Sequence, residues 1–193
     1  MSRSQLVCVS TMPGMHPYRF WAGLALSLLA LVACSPEQNW RQVTFEGAHL
    51  RAQLPCKPDR TVREVPLGGT PVPLQVVGCE SGDAMLVVMT AALQPGADAQ
   101  AVLQAWRALT LRHLQAPDEP GQTQAWSGAA WLPLASAVRQ KVTGRRADGQ
   151  AVSAELAWAA TAEGDHVRVV HAAVYAPRPR PELAQGLMEG LQP

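Results

Sequence analysis

The chain has 193 residues, of which 48% are apolar, and it carries 16 Lys and Arg residues against 15 Asp and Glu residues. The balanced charge argues against a protein that binds nucleic acid electrostatically. The apolar content excludes an intrinsically disordered chain. The length suits one domain, with at most a small appendage.

Residues 1–33 have the composition of a secretory signal peptide. Their only full charges are Arg3 and Arg19, and the 14 residues of segment 20–33 are almost all apolar. A membrane-spanning helix needs about 20 residues, so this run is short for a permanent span and suits a signal peptide. Met15 is an alternative start that would give a signal of ordinary length. In either case residues 1–33 are not expected to belong to the fold.

The signal ends in Leu31-Val32-Ala33-Cys34. This segment resembles the lipobox of bacterial lipoproteins, in which small residues precede a cysteine whose thiol receives a diacylglyceryl group. The resemblance implies cleavage after Ala33, acylation of Cys34, and a short lipidated tether over residues 34–39. The alternative is an ordinary cysteine beside a signal peptide.

The residue after Cys34 bears on the destination. In lipoproteins of two-membrane bacteria, Asp at this position tends to retain the protein at the inner membrane. Here the residue is Ser35, so the resemblance implies an outer-membrane anchor facing the periplasm, with inner-membrane anchoring left open. The lipid bilayer is then the first partner. Cleavage would leave 14 basic and 15 acidic residues, so no excess of positive charge suggests nucleic acid.

The first half of the body is predicted to be strands. Apolar and polar residues alternate in short runs separated by turns that contain Gly47, Gly82 and the pair Gly68-Gly69. The predicted strands are 40–45, 49–54, 61–67, 72–79 and 84–93. Pro73 favours an edge strand or a strand start. Segment 84–93 is apolar almost throughout, which predicts a central strand covered on both faces.

One strong helix is predicted over residues 99–115. Asp98 is a favourable N-cap, and Pro117 ends the pattern. The apolar residues recur at helical spacing, at Val102, Leu103, Trp106, Leu109 and Leu114.

The second half returns to strands, predicted at 124–134, 138–145, 151–160 and 166–175, with a short C-terminal helix over 182–191. Tight turns between strands favour antiparallel pairing. We therefore predict one α+β domain over residues 40–193. Its mainly antiparallel sheet would have about six to eight short strands, covered by one main helix, with the short C-terminal helix in addition.

Cys56 and Cys79 are the cysteines of the predicted mature body. An even pair in an oxidising compartment is most simply one disulfide. Two buried free thiols on neighbouring strands are the alternative. A reactive thiol is the least favoured of the three interpretations, because no neighbouring base is visible that would lower the pKa of either cysteine.

The order of elements resembles the PsbP/Mog1-like α+β fold. The segment Leu54-Pro55-Cys56-Lys57-Pro58-Asp59-Arg60 is similar to an LPCKPxR segment of small uncharacterised proteobacterial lipoproteins. Proteins of that fold are mostly assembly or binding accessories, so the resemblance implies such a role by analogy alone.

Candidate binding residues come from two features. Arg139 and Lys141 lie in a basic strand segment, which is either a solvated face or a docking patch for an acidic partner. Trp126 and Trp131 flank a glycine, and they belong either to the core or to an aromatic groove.

No residue set has catalytic or metal-ligand spacing. His166 and His171, five residues apart on one predicted strand, fall on opposite faces. We expect no cofactor, no metal and no catalytic site. The expected function is a non-enzymatic binding or assembly accessory of the cell envelope, with an envelope protein as partner. The alternative is a periplasmic small-ligand-binding lipoprotein that uses an aromatic groove, and an enzyme is the least favoured reading.

Overall fold

The computed structural model describes residues 38–67, 69–118 and 123–193. The predicted signal peptide, the alternative start at Met15, Cys34 and all but the last two residues of the predicted tether lie outside these residues. Within the described part, no helix has the length and apolar character needed to cross a membrane. The body of the protein is one compact unit over Gln38–Pro193.

The strands that the structure describes are β1 (Arg41–Thr44), β2 (Arg51–Leu54), β3 (Asp59–Leu67), β4 (Thr70–Ser81), β5 (Ala84–Ala92), β6 (Thr123–Ala125), β7 (Val138–Arg145), β8 (Ala151–Glu163) and β9 (His166–Ala176). The helices are α1 (Ala99–His113) and α2 (Pro181–Glu189). The predicted α+β class is confirmed.

Strands β3 to β9 form one sheet in the order β3-β4-β5-β9-β8-β7-β6, and β1 pairs with β2 in a separate hairpin. All of these pairs are antiparallel, as predicted. Strand β9 returns to the middle of the sheet and pairs with both β5 and β8. The chain leaves β5 through α1 and re-enters at β6, on the far edge.

The prediction that one main helix covers the sheet is confirmed only in part. Helix α1 covers only one face, where its apolar residues join one buried cluster. The opposite face is covered by α2 and the β1–β2 hairpin, which share a second cluster with Leu86 and Val174 of the sheet. Strand β8 is buried without interruption from Ala154 to Thr161, so both of its faces require cover.

The strand predicted over 84–93 is present as β5, but it is not the doubly covered centre of the sheet. Strand β5 lies between β4 and β9, and Met85 on its α1 side is 45% exposed. The strands buried on both faces are β8 and β9. The reason is that α1 packs against β8 and β9, which leaves the α1 side of β5 less covered.

The strand predicted over 124–134 ends at Ala125. A turn follows, in which the Trp131 amide donates to the Gly128 carbonyl at 3.1 Å. The Leu132 amide then donates a hydrogen bond to the Ala160 carbonyl of β8. Gly128 and Pro133 interrupt the alternation that suggested one long strand.

Three prolines lie in the β3–β4 hairpin at positions where no ladder hydrogen bond is lost. Pro66 is opposite Pro71, and Pro73 is opposite Glu64. The β4–β5 pairing begins only at Gln75, so Pro71 and Pro73 have no β5 partner to which an amide could donate. Pro73 therefore occupies a free edge within β4, as predicted.

The predicted disulfide is confirmed. Cys56, just after β2, is bonded to Cys79 of β4, with a Cα–Cα distance of 5.9 Å. Both cysteines pack with the buried cluster that α2 and the β1–β2 hairpin share with the sheet, which we call the α2-side cluster. The bridge therefore fastens the β1–β2 hairpin layer to the main sheet.

Replacing both cysteines (Cys56→Ser with Cys79→Ser) should lower the free energy of unfolding by about 3 kcal/mol, because the bridge closes a loop with a sequence separation of 23 residues. Urea unfolding of the variant measures this loss. The reduced wild-type chain is the control and should show the same loss. An unchanged urea midpoint in both would contradict a stabilising role for the bridge.

Candidate functional site

The position of α1 follows from its two ends. At its N-terminus the Asp98 carboxylate accepts a hydrogen bond from the Ala101 amide at 3.1 Å, which caps the helix. Beyond its C-terminus the Leu114 carbonyl accepts from the Arg145 amide of β7 at 2.6 Å. Gly144 lies against this carbonyl, where a Cβ would not fit. The helix is thus attached to the β7 side of the sheet.

This attachment leaves an open groove between α1 and the tip of the β3–β4 hairpin, which we call the α1 groove. Its volume is about 610 Å³, within the range of small-molecule sites. The residues that form its walls are Val65, Leu67 and Leu74 from the hairpin and Ala101, Ala105 and Leu109 from α1.

The lining of the α1 groove is almost entirely apolar. Ala101 and Ala105 are one helical turn apart, and their small side chains leave the space that the groove occupies. Leu109 is 44% exposed, whereas Trp106 is only 9% exposed and belongs to the core beneath. Among the described residues that line the groove, Asp98 is the only ionisable one, and its carboxylate caps the helix. The groove therefore offers contact to an apolar group.

Trp106 connects the α1 groove to a buried histidine. Trp106 and His171 make a T-shaped contact with ring centroids 5.4 Å apart, and Trp158 stacks on the imidazole with ring centroids 4.7 Å apart. His171 is fully buried, and its Nδ1–H donates to the Ala157 carbonyl at 2.9 Å. Burial lowers the pKa of His171 from 6.5 to about 4, although the bond to Ala157 opposes the shift. The imidazole is therefore neutral at physiological pH.

The predicted basic segment is part of an ion-pair network. Arg139 Nη2 lies 3.0 Å from Glu155 Oε2, and Lys141 Nζ lies 3.6 Å from Glu155 Oε1. Glu155 is only 5% exposed, and the two flanking cations compensate its buried charge. Arg139 is half-buried, so Lys141 is the exposed cation of this group. Its use as a docking patch stays a prediction.

Trp126 and Trp131 form a T-shaped pair with ring centroids 5.8 Å apart. Both are half-buried and pack against the α2-side cluster. Arg139 faces the same side, because it is paired with Ala157 of that cluster. The four predicted binding residues thus share one face of the sheet, opposite the α1 groove. A binding role for them stays a prediction.

The α1 groove itself was not predicted from the sequence. Its two walls are 27 or more residues apart along the chain, from Leu74 to Ala101, and only the fold brings Val65 and Leu67 to α1. The one local signal was the spacing of Ala101 and Ala105 beside Leu109, on a helix face where polar residues are usual.

Comparison of the chain with protein-family models and with curated protein sequences finds no match. The resemblance to PsbP/Mog1-like lipoproteins therefore stays a prediction. Within the residues that the structure describes, no group of three or more His, Cys, Asp or Glu side chains could hold a metal ion.

Acid should destabilise the protein through His171. Between pH 6.5 and about 4 the unfolded histidine binds a proton that the folded one does not. The stability is therefore full above pH 6.5 and falls as the pH drops, by about 1.4 kcal/mol per pH unit and about 3 kcal/mol in total. Urea unfolding at a series of pH values measures this slope.

The variant His171→Asn keeps an N–H donor for Ala157 and should flatten this pH dependence. His166→Asn is the matched control, because His166 is exposed on the same strand, and this variant should keep the wild-type slope. Equal slopes in all three proteins would show that another group causes the acid sensitivity.

Proposed function

We propose that this protein is a bacterial envelope lipoprotein with a binding rather than a catalytic role, and that the α1 groove is its binding site. The observation that carries the binding role is the α1 groove, with about 610 Å³ of space and an apolar lining. A contiguous apolar surface that remains open on a folded domain is typical of a site for a ligand or partner.

The occupant that this lining suits is the apolar part of a small molecule or of an envelope protein. Leu109 provides exposed apolar surface at the rim, and Trp106 provides an aromatic surface that the core holds in place. The carboxylate of Asp98 is engaged with the Ala101 amide. The lining thus provides burial for an apolar group, whereas general acid–base catalysis would require positioned titratable groups.

The anchor part of the proposal is supported by the lipobox-like segment that ends in Cys34. The Asn39 amide donates to the Pro55 carbonyl at 2.9 Å, so the fold begins there, on the side covered by α2. Asn39 is the fifth residue after Cys34, so the chain between them reaches at most about 17 Å. The proposal implies that the α2 side is held near the membrane and that the α1 groove opens towards the periplasm. Ser35 after the cysteine assigns the anchor to the outer membrane in this proposal.

The second candidate is a small-ligand site at the Trp126–Trp131 pair. The observation that favours it is that Trp126 Nε1 is buried without a hydrogen-bond partner among the described residues. An aromatic pair with a free donor could bind a polar ring or a sugar. The groove experiment below separates this candidate from the first.

The lipid anchor predicts a defined N-terminus. The intact mass of protein extracted from bacterial membranes should correspond to a chain that begins at Cys34 and carries acyl groups. The variant Cys34→Ser should lose the acyl mass and leave the membrane fraction, because acyl chains provide the membrane affinity. A matched Cys8→Ser variant should behave as the wild type. An unprocessed, unacylated wild-type chain would refute the anchor.

The groove predicts how the protein binds an apolar fluorescent probe, 1-anilinonaphthalene-8-sulfonate. Leu109→Glu should weaken probe binding by about tenfold or more, because the probe would have to cover an ionised carboxylate. Ala108→Glu places the same charge on an exposed position of α1 outside the groove lining, and it should bind as the wild type does. Fluorescence titration measures both affinities.

Both variants should unfold near the wild-type temperature, because both positions are exposed. If Leu109→Glu leaves probe binding unchanged while Trp131→Ala reduces it, the Trp126–Trp131 site replaces the α1 groove as the binding site.

A further inference from the structure

The two edges of the seven-stranded sheet differ. Strand β6 at one edge has three residues, whereas β3 at the other has nine, and among the described residues none pairs with the outer side of β3. Val62, in the middle of β3, is 61% exposed. A long open edge with an exposed valine is the type of strand that accepts another strand.

The prolines of the hairpin show which backbone groups of β3 point outwards. Pro66 and Pro71 are opposite each other, and neither has an amide hydrogen, so this pair cannot exchange hydrogen bonds. Hydrogen-bonded and non-bonded pairs alternate along an antiparallel ladder. The backbone N–H and C=O groups of Arg60, Val62 and Glu64 therefore point away from β4, to the open edge.

We propose that this edge pairs with the β3 strand of a second copy of the same chain, antiparallel, around a two-fold axis at Val62. Val62 then lies opposite Val62 of the second copy. Arg60 lies opposite Glu64 of the second copy, and Glu64 lies opposite its Arg60. The Arg60 guanidinium donates through Nη1 to the Thr44 carbonyl of its own chain at 2.7 Å, which leaves its other N–H groups for Glu64 of the second copy. Opposite charges directly across an antiparallel pair are favourable. The outward groups of these three residues can form about six hydrogen bonds.

The prolines at the ends of the edge select this register. With the axis at Val62, Pro66 lies opposite Pro58 of the second copy, so the residues without an amide hydrogen meet outside the bonded region. An axis at Thr61 would instead place Glu64 opposite Pro58. An axis at Arg63 would place Arg63 opposite itself, which is unfavourable for like charges.

The symmetry of the dimer agrees with attachment to one membrane. A two-fold axis that relates neighbouring antiparallel strands is perpendicular to the sheet, so corresponding faces of both copies point the same way. Both chains then enter their folds, at Asn39, on the same side of the dimer. The strand pairing itself does not depend on the proposed lipid anchor or on the α1 groove.

Strand pairing alone buries little surface, so the dimer should be weak in dilute solution. Attachment to a shared membrane would raise the effective concentration of the two copies. The measurement is sedimentation velocity of the purified full-length chain over a wide concentration range, where the sedimentation coefficient should rise with concentration.

Charge variants test the register. Arg60→Glu and Glu64→Arg should each weaken dimerisation by about tenfold or more, because each places like charges at two positions of the interface. The double variant Arg60→Glu with Glu64→Arg restores opposite charges and should dimerise as the wild type does. An equimolar mixture of the two single variants should form a heterodimer.

Two further variants keep the test independent of folding. Val62→Pro removes only an outward amide, so β3–β4 pairing is retained while dimerisation is lost. Val62→Cys should form a disulfide between the two copies on oxidation, with the 62–62 link identified by mass spectrometry, and Gln124→Cys on the β6 edge is the control that should not.

Three results would each overturn the proposal. The wild-type chain could stay monomeric, the single charge variants could associate as the wild type does, or the double variant could fail to recover dimerisation. Cross-linking of Val62→Cys to a different protein, with no 62–62 link, would assign the edge to another partner and would also overturn it.

Discussion

The β8–β9 pair is buried on both faces, and this constraint organises the rest of the molecule. Trp158 of β8 is directly opposite His171 of β9, and their rings stack at 4.7 Å with an interplanar angle of 2°. A hairpin in this position needs an apolar layer above and below it. Helix α1 forms one layer, and α2 with the β1–β2 hairpin forms the other.

The two faces of the sheet differ in how completely they are covered. On the α2 side, the Cys56–Cys79 bridge ties the β1–β2 hairpin layer to the sheet, and the Glu155 ion pairs join the neighbouring strands β7 and β8. On the α1 side, a single helix attached to β7 through Leu114 cannot reach the β3–β4 hairpin. The α1 groove is the space that remains. Its floor is held in place because Trp106 packs on His171, so the same aromatic cluster that fills the core also shapes the site.

The edges of the sheet show a similar contrast. Strand β6 is too short to recruit another strand, whereas β3 is long and is limited by prolines at its ends. Prolines usually protect an edge from uncontrolled pairing. Here they leave the outward groups between Arg60 and Glu64 available. The hairpin thus contributes to two surfaces, the groove through one face and the open edge through its backbone.

Local patterns predicted much of the fold. The helix expected over 99–115 is Ala99–His113, and most strands were placed within a few residues, because alternation and helical spacing record which side of each element is buried. The strand over 124–134 failed because Gly128 and Pro133 permit a turn that alternation does not reveal. The ion pairs of Glu155 were not predicted, because a single sequence does not show that Arg139 and Lys141 lie on the neighbouring strand.

The sequence by itself determined the α+β class, the antiparallel pairing and the disulfide, since these depend on local periodicity, short turns and an even number of cysteines. Only the tertiary structure decided that two layers cover the sheet, that β9 rather than β5 lies at its centre, and that Trp106, Val65 and Leu109 share one groove. The physical reason is that strand order and the path of α1 across the sheet are set by how several faces are buried at once. No short segment of the chain contains that information.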